Sequence, residues 1–112
     1  MSIEINIFRD KDDIDKTVYG FKINGHASSV VCAAVSILSM NTANSIEALT
    51  DTRFDFEYDD EGGYMLLLAD FSDGDNVGAK ILLNSFVVGV TGIQQQYSDE
   101  VIVFNGGGDC YD

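Results

Sequence analysis

The sequence contains little histidine, little cysteine and little positive charge. Its 112 residues include one histidine, His26, and two cysteines, Cys32 and Cys110. A structural zinc site normally takes four Cys or His ligands, so these three residues are too few to form one. We therefore expect no metal and no other cofactor in this protein.

Positive charge is scarce: six Lys and Arg residues stand against nineteen Asp and Glu residues, for a net charge of −13. Binding to nucleic acid phosphates needs clustered Lys or Arg, so the charge argues against nucleic acid as a direct ligand. It suits a basic protein partner better, because opposite charges speed association. A simpler explanation is also open, namely that the acidic loops keep a small domain soluble.

A long unbroken apolar run and a secretory signal are also missing. The most apolar helical pattern carries Ser, Asn and Thr at regular intervals, which argues against a membrane-spanning segment. The first residues, "MSIEINIF", have no basic region followed by an apolar one. We therefore expect a cytoplasmic protein without membrane contact. In that reducing compartment a structural disulfide is disfavoured, so Cys32 and Cys110 are expected to be free thiols.

Hydrophobic residues make up 46% of the chain, enough for the packed core of one small domain. Alternating apolar residues predict two hairpins and a last strand. The first hairpin pairs residues 2–8 with 17–25, the second spans 52–70 with its turn at "DDEGG", and the last strand covers 100–105. The strand over 64–69 is apolar on both faces and is expected inside the sheet. We expect one domain over residues 1–105 and a flexible tail over 106–112.

Helical spacing predicts two helices, over 30–49 and 77–96. Ser28 or Ser29 is the expected N-cap of the first helix. On the second, the predicted apolar stripe is Ile81, Leu82, Ser85, Phe86, Gly89 and Ile93, with Gly89 and Gly92 permitting close packing or a partner helix. The order ββαββαβ predicts an α+β fold, a mainly antiparallel sheet with two helices packed on one face.

Chemically useful side chains are concentrated in residues 25–36, "GHASSVVCAAVS". Cys32 is expected in the first helical turn, where free N–H groups and the helix dipole favour a thiolate. His26 could take the thiol proton and later protonate a leaving amine. The same N–H groups could bind the oxyanion of a tetrahedral intermediate. Gly25 would permit the tight backbone geometry before His26.

The same residues have an ordinary structural explanation. A small cysteine in an apolar run is commonly part of a core, and a lone histidine beside a turn is commonly a surface residue. Spacing alone therefore leaves two functions open. One is a catalytic His–Cys pair; the other is a non-catalytic acidic binding module that docks a basic ribosomal or translation partner.

The "GHA" turn, the "VCAAVS" helix start and the following "TAN" resemble the ribosomal-processing cysteine protease family, Prp. The resemblance implies a cytoplasmic endopeptidase that removes an N-terminal extension from a large-subunit ribosomal protein, and it implies a homodimer. It makes Cys32 the nucleophile and His26 the general base, with Gly25 and Ala27 shaping the turn. Ser36 matches the motif serine one turn after Cys32 and is expected to support the helix.

Two features of the chain differ from many members of that family. Those members have a longer Gly-rich loop between His and Cys, where this chain has "ASSVV". They also carry an acidic residue three positions before the cysteine, where this chain has Ser29. Serine can replace aspartate as a helix cap, but it does not bring the negative charge.

Overall fold

The computed structural model describes residues 1–59 and 61–106. Its elements follow the predicted order ββαββαβ: β1 Ile3–Arg9, β2 Val18–Gly25, α1 Ser29–Leu49, β3 Arg53–Tyr58, β4 Tyr64–Asp70, α2 Val77–Gln96 and β5 Val101–Asn105. Of the tail predicted over 106–112, Gly106 is described, and residues 107–112, with Cys110, lie outside the described residues.

The strands form one five-stranded sheet in the order β3-β4-β2-β1-β5. Neighbours pair antiparallel except β1 and β5, which are parallel, so the sheet is mixed and the predicted α+β class is confirmed. β4 lies inside the sheet, as its apolar faces predicted. Ile3 pairs with Gly25 on one side and with Val101 on the other, which brings the end of β2 close to the start of β5.

The core lies between the sheet and the two helices. On β1 the alternation predicted from sequence is realised, because Ile3, Ile5 and Ile7 are buried while Glu4 is exposed. At the centre of the core the rings of Phe21 and Phe86 stack, with their centroids 3.9 Å apart and their planes at 15° to each other. This stack joins β2 to α2 and so fixes the helical layer on the sheet.

Helix α1 begins where the sequence predicted. Ser28 is the N-cap, with an extended backbone and a side chain that accepts a hydrogen bond from the Val31 N–H. Thr42, which interrupts the apolar stripe, is buried and donates its hydroxyl to the Leu38 carbonyl. The helix ends at Leu49, and the N–H of its C-cap residue Thr50 donates to the Ile46 carbonyl.

The stripe predicted for α2 is partly wrong. Phe86 is buried as expected, but Ser85 and Ile81 are exposed. The buried residues of the helix are Ala79, Leu83, Phe86, Val87 and Val90. Apolar residues occur around most of this helix, so their spacing could not select the face that meets the sheet. Gly89 does permit close packing, since a Cβ there would lie 2.6 Å from Leu38 Cδ2, whereas Gly92 faces open space.

Both helices are long and apolar enough to cross a membrane, by length and composition alone. Core helices of folded domains satisfy the same criterion, and here both pack side by side, α2 directly against β2 and β5. Buried positions make up 33% of the apolar window of α1 and 28% of that of α2. The expectation of a chain without membrane contact stays a prediction.

Candidate active site

The site is built on the turn that follows β2. Gly25 has φ +106°, and a Cβ there would lie 2.3 Å from the backbone oxygen of Ser2. Glycine is therefore required at this position, as the sequence predicted. The Gly25 N–H donates to the Gly63 carbonyl over 3.0 Å, which ties the turn to the tip of the β3–β4 hairpin.

Cys32 lies in the first turn of α1 and is half-buried. Its sulfur is held by Ala27: the Ala27 N–H donates to Sγ over 3.3 Å, and the thiol donates to the Ala27 carbonyl over 3.4 Å. The Cys32 N–H donates to the Ser28 carbonyl over 2.9 Å, the first bond of the helix. The thiol therefore sits against the backbone of the residue that follows His26.

His26 is exposed, and its imidazole lies against the hairpin tip. Gly62 and Gly63 have φ +87° and +88°, and a Cβ on Gly63 would lie 2.6 Å from His26 Nε2. The glycines thus allow the hairpin backbone to approach the ring closely. Across residues 1–59 and 61–106, the imidazole makes no hydrogen bond that would fix its tautomer.

His26 and Cys32 line one cleft of about 180 Å³. Its walls come from β1, β2, the first two turns of α1 and the hairpin tip; they are Ile3, Ile23, Gly25, His26, Cys32, Val35, Ser36 and residues 61–65. The sequence-predicted residues Gly25 and Ser36 therefore belong to the cleft. Ala27 contributes through its backbone bonds to the thiol. Ser29 is the first helical residue and is not part of the cleft wall.

The hairpin tip is the part of the site that the sequence did not predict. "DDEGG" indicated a turn, and its two glycines are the signal for positive φ. Nothing in the local pattern places that turn over His26, because the contact depends on the pairing of β2 with β4. Asn24 pairs with Tyr64, so the end of β2 and the hairpin tip lie side by side.

A larger concavity of about 880 Å³ lies elsewhere, against β3 and β4, and its walls contain neither histidine nor cysteine. Within residues 1–59 and 61–106, no group of three or more His, Cys, Asp or Glu side chains could hold a metal ion.

A thiol at a helix start and an imidazole on the same cleft are the groups that a cysteine-dependent hydrolase uses. The family model for "Cysteine protease Prp" matches residues 2–102. The "Ribosomal processing cysteine protease Prp" of Staphylococcus aureus is 29% identical over 85 residues, which cover 70% of this chain and 78% of that protein. The chain belongs to the Prp family of cysteine proteases.

Solved structures agree with this assignment. An S. aureus Prp in complex with a covalently linked product peptide has a TM-score of 0.75 at 25% identity, over 91% of this chain and 95% of that one. The same protease in complex with a substrate peptide has a TM-score of 0.80 at 22% identity, over 96% and 99%, which shows the likeness of the fold. These findings support a protease and not the non-catalytic binding module.

Proposed function

We propose that this chain is an endopeptidase that removes the N-terminal extension of a large-subunit ribosomal protein, with Cys32 as nucleophile and His26 as general base. The observation that carries the proposal is that both side chains line one cleft at the start of α1. The names of the S. aureus relatives support the ribosomal substrate.

The proposed reaction has two halves. His26 takes the proton of the Cys32 thiol, and the sulfur attacks the carbonyl carbon of the scissile peptide bond. The tetrahedral intermediate collapses as His26 protonates the leaving amine, which leaves a thioester on Cys32. A water molecule, deprotonated by His26, then hydrolyses the thioester, and the proton returns to the thiol.

The oxyanion would be stabilised by N–H groups at the start of α1. The Cys32 N–H is already bonded to the Ser28 carbonyl, so it is not the first candidate. Ser29 and Val30 lie in the first turn, where N–H groups have no partner within the helix. In this proposal Ser29 acts through its backbone, Gly25 and Ala27 shape the turn, and Ser36 supports the cleft wall.

The charge of the chain fits a basic ribosomal protein as partner, since a net charge of −13 attracts cationic segments at long range. The same charge disfavours direct binding to nucleic acid. We expect the enzyme in the cytoplasm, where a ribosomal protein substrate would be processed. Residues 1–105 act as a single domain in this proposal.

We further propose a homodimer formed through the outer faces of the helices. Each helix carries one charged residue, Glu47 on α1 and Lys80 on α2. Both helices expose large apolar side chains by 59–74%: Val30, Ile37, Leu49, Val77, Ile81 and Val88. Two copies that each carry a net charge of −13 repel each other least when they meet through surfaces that are almost free of charge.

Sedimentation velocity tests the dimer. Val88→Glu is expected to produce monomers, because it places a charge in the apolar contact. Ile14→Glu is the matched control, since Ile14 is 94% exposed in the β1–β2 loop. A wild-type chain that sediments as a monomer at all concentrations would contradict the dimer but not the protease.

The cleavage assay uses the extended ribosomal protein from the same organism, with Cys32→Ala and Cys110→Ala compared with wild type. Loss of Cys32 should lower kcat/KM at least about 1,000-fold, because the nucleophile is gone. Cys110→Ala should cleave normally. Cleavage that survives in Cys32→Ala would overturn the assignment of the nucleophile.

A further inference from the structure

The first turn of α1 contains no acidic residue, although its free N–H groups favour negative charge there. A carboxylate reaches this helix start from the far end of the chain. Glu100 Oε1 accepts a hydrogen bond from the Ser28 N–H over 2.8 Å, across 72 positions of sequence. Ser28 is the N-cap of the helix that carries Cys32. The contact therefore joins the start of β5 to the reactive turn.

The backbone of Glu100 is fixed on both sides. Its carbonyl accepts from the Ile3 N–H over 2.8 Å, and its N–H donates to the Tyr97 carbonyl over 2.9 Å. The next residue, Val101, pairs with Ile3 in the parallel ladder. The carboxylate is thus presented from the edge of the sheet, which makes it a rigid anchor point for the turn.

One peptide unit links this carboxylate to the thiol. The unit between Ala27 and Ser28 carries the N–H that Glu100 accepts and the carbonyl to which the Cys32 thiol donates. A peptide unit is planar and, in its trans form, directs its N–H and carbonyl to opposite sides. Rotation of the unit would therefore break both contacts together. The Ala27 N–H, which donates to the thiol, belongs to the neighbouring peptide unit that Ala27 shares with His26.

We propose that Glu100 is a positioning residue for the His26–Cys32 pair, because its carboxylate fixes the orientation of the Ala27–Ser28 peptide against the thiol. This inference rests on the catalytic roles proposed above. It assigns a task to a residue that lies outside the "GHASSVVCAAVS" stretch and outside the cleft wall.

The electrostatics agree with this geometry. Hydrogen bonds from the Ser28 side chain and then the Ser28 N–H lower the pKa of Glu100 below its ordinary 4.5, and the amino terminus adds a smaller attraction. A lowered pKa means that the folded protein favours the charged carboxylate. The charged carboxylate, which is the stronger acceptor, is therefore the form present at neutral pH, and its extra stabilisation is lost as the pH falls through the lowered value.

The first test is kinetic and uses Glu100→Ala, Glu100→Asp and Glu100→Gln. Glu100→Ala removes the acceptor. Glu100→Asp keeps the charge, but its side chain is shorter by one methylene group, so the carboxylate lies farther from the Ser28 N–H. Both should lower kcat/KM about 10- to 100-fold, mainly in kcat, because misplaced catalytic groups react slowly. Gln keeps an acceptor oxygen at the same reach and should recover most of the activity. Asp99→Ala, which removes the neighbouring exposed acid, should cleave like wild type.

A role of Glu100 as a general source of negative charge predicts the opposite ranking, with Asp active and Gln impaired. That result, or a Glu100→Ala variant as active as Asp99→Ala, would overturn the proposal. Thermal unfolding of all variants is measured alongside. A positioning role requires that Asp and Gln differ in kcat at temperatures where both are fully folded.

The second test needs no substrate. Amide exchange at Ser28 should accelerate at least about tenfold in Glu100→Ala relative to Glu100→Gln, since the N–H loses its acceptor. Unchanged exchange at Ser28 would overturn the inference. If the wild type fails to cleave any extended ribosomal protein, the proposed substrate is wrong, while the Ser28 exchange still decides the role of Glu100.

Discussion

Gly63 faces the imidazole of His26 so closely that a Cβ on Gly63 would lie 2.6 Å from Nε2. The carbonyl of the same Gly63 accepts the Gly25 N–H over 3.0 Å, so the hairpin tip cannot easily retreat. The β3–β4 hairpin therefore limits the positions that the ring can take. In the proposed mechanism, those positions decide whether His26 reaches the thiol.

Gly63→Ala is expected to lower kcat/KM about 100-fold, because the added methyl group displaces the imidazole from the cleft. The side chain of His26 can move, so the fold should survive the substitution. The assay is cleavage of the extended ribosomal protein, with circular dichroism to confirm folding.

Gly74→Ala is the matched control for that substitution. Gly74 has φ +83°, close to the +88° of Gly63, but a Cβ there would meet no atom within 4 Å. Both variants should lose about 1–2 kcal/mol of stability through backbone strain. Activity should fall in Gly63→Ala alone. Equal activity in the two variants would mean that the Gly63 contact does not position the ring.

Phe86→Ala should lower the free energy of unfolding by about 3–5 kcal/mol, because it removes a fully buried ring from its stack on Phe21. Urea unfolding measures the effect. Phe104→Ala truncates an aromatic side chain that is 44% exposed on β5 and should cost less than about 1 kcal/mol. Similar losses in the two variants would contradict the position of the core.

The two glycines of α2 should respond differently to alanine. Gly92→Ala should stabilise the protein by about 1 kcal/mol, because alanine favours the helix and a Cβ there meets no neighbour. At Gly89 the Cβ would lie 2.6 Å from Leu38 Cδ2, so the cost of displacing Leu38 offsets the helical gain.

Unfolding of both glycine variants is measured at one protein concentration, because association also changes apparent stability. A larger gain for Gly89→Ala than for Gly92→Ala would contradict the close approach of α1 and α2.

Asp70 provides a pH test. Hydrogen bonds from the Ser72 hydroxyl and N–H, with a smaller attraction from Arg53, lower its pKa from the ordinary 3.8. Its carboxylate therefore stabilises the fold above pH 3.8, and this stabilisation is lost as the pH falls through the lowered value.

Asp70→Asn should accordingly be less stable than wild type at neutral pH, and the difference should shrink in acid. Urea unfolding at a series of pH values from neutral to acid measures this difference in the free energy of unfolding. Asp73→Asn removes the same charge from an exposed loop position and is the control for the change in net charge. A constant difference between Asp70→Asn and wild type at every pH would contradict the Ser72 contact.

The strands and the start of α1 could be predicted because their signals are local. Ile3, Ile5 and Ile7 alternate with polar residues, and Ser28 stands one residue before the helix. Gly25 could be identified because it ends a predicted strand immediately before a tight turn, where glycine permits backbone conformations that other residues rarely adopt. These features follow from neighbouring residues alone.

The contacts that complete the site could not be predicted in this way. Gly63 reaches His26 through the pairing of β2 with β4, and Glu100 reaches Ser28 through the parallel pairing of β1 with β5. Such registers depend on the whole sheet. The buried face of α2 was missed for another reason, since apolar residues such as Ile81 and Leu83 point in different directions on one helix.

The most direct measurement of the central claim is the rate of Cys32 alkylation by iodoacetamide as a function of pH, in a Cys110→Ser background that leaves one thiol. The account predicts that His26→Ala slows alkylation at neutral pH about tenfold, because the thiol loses its base. Identical curves with and without His26, or a thiol inert at every pH, would contradict the catalytic pair.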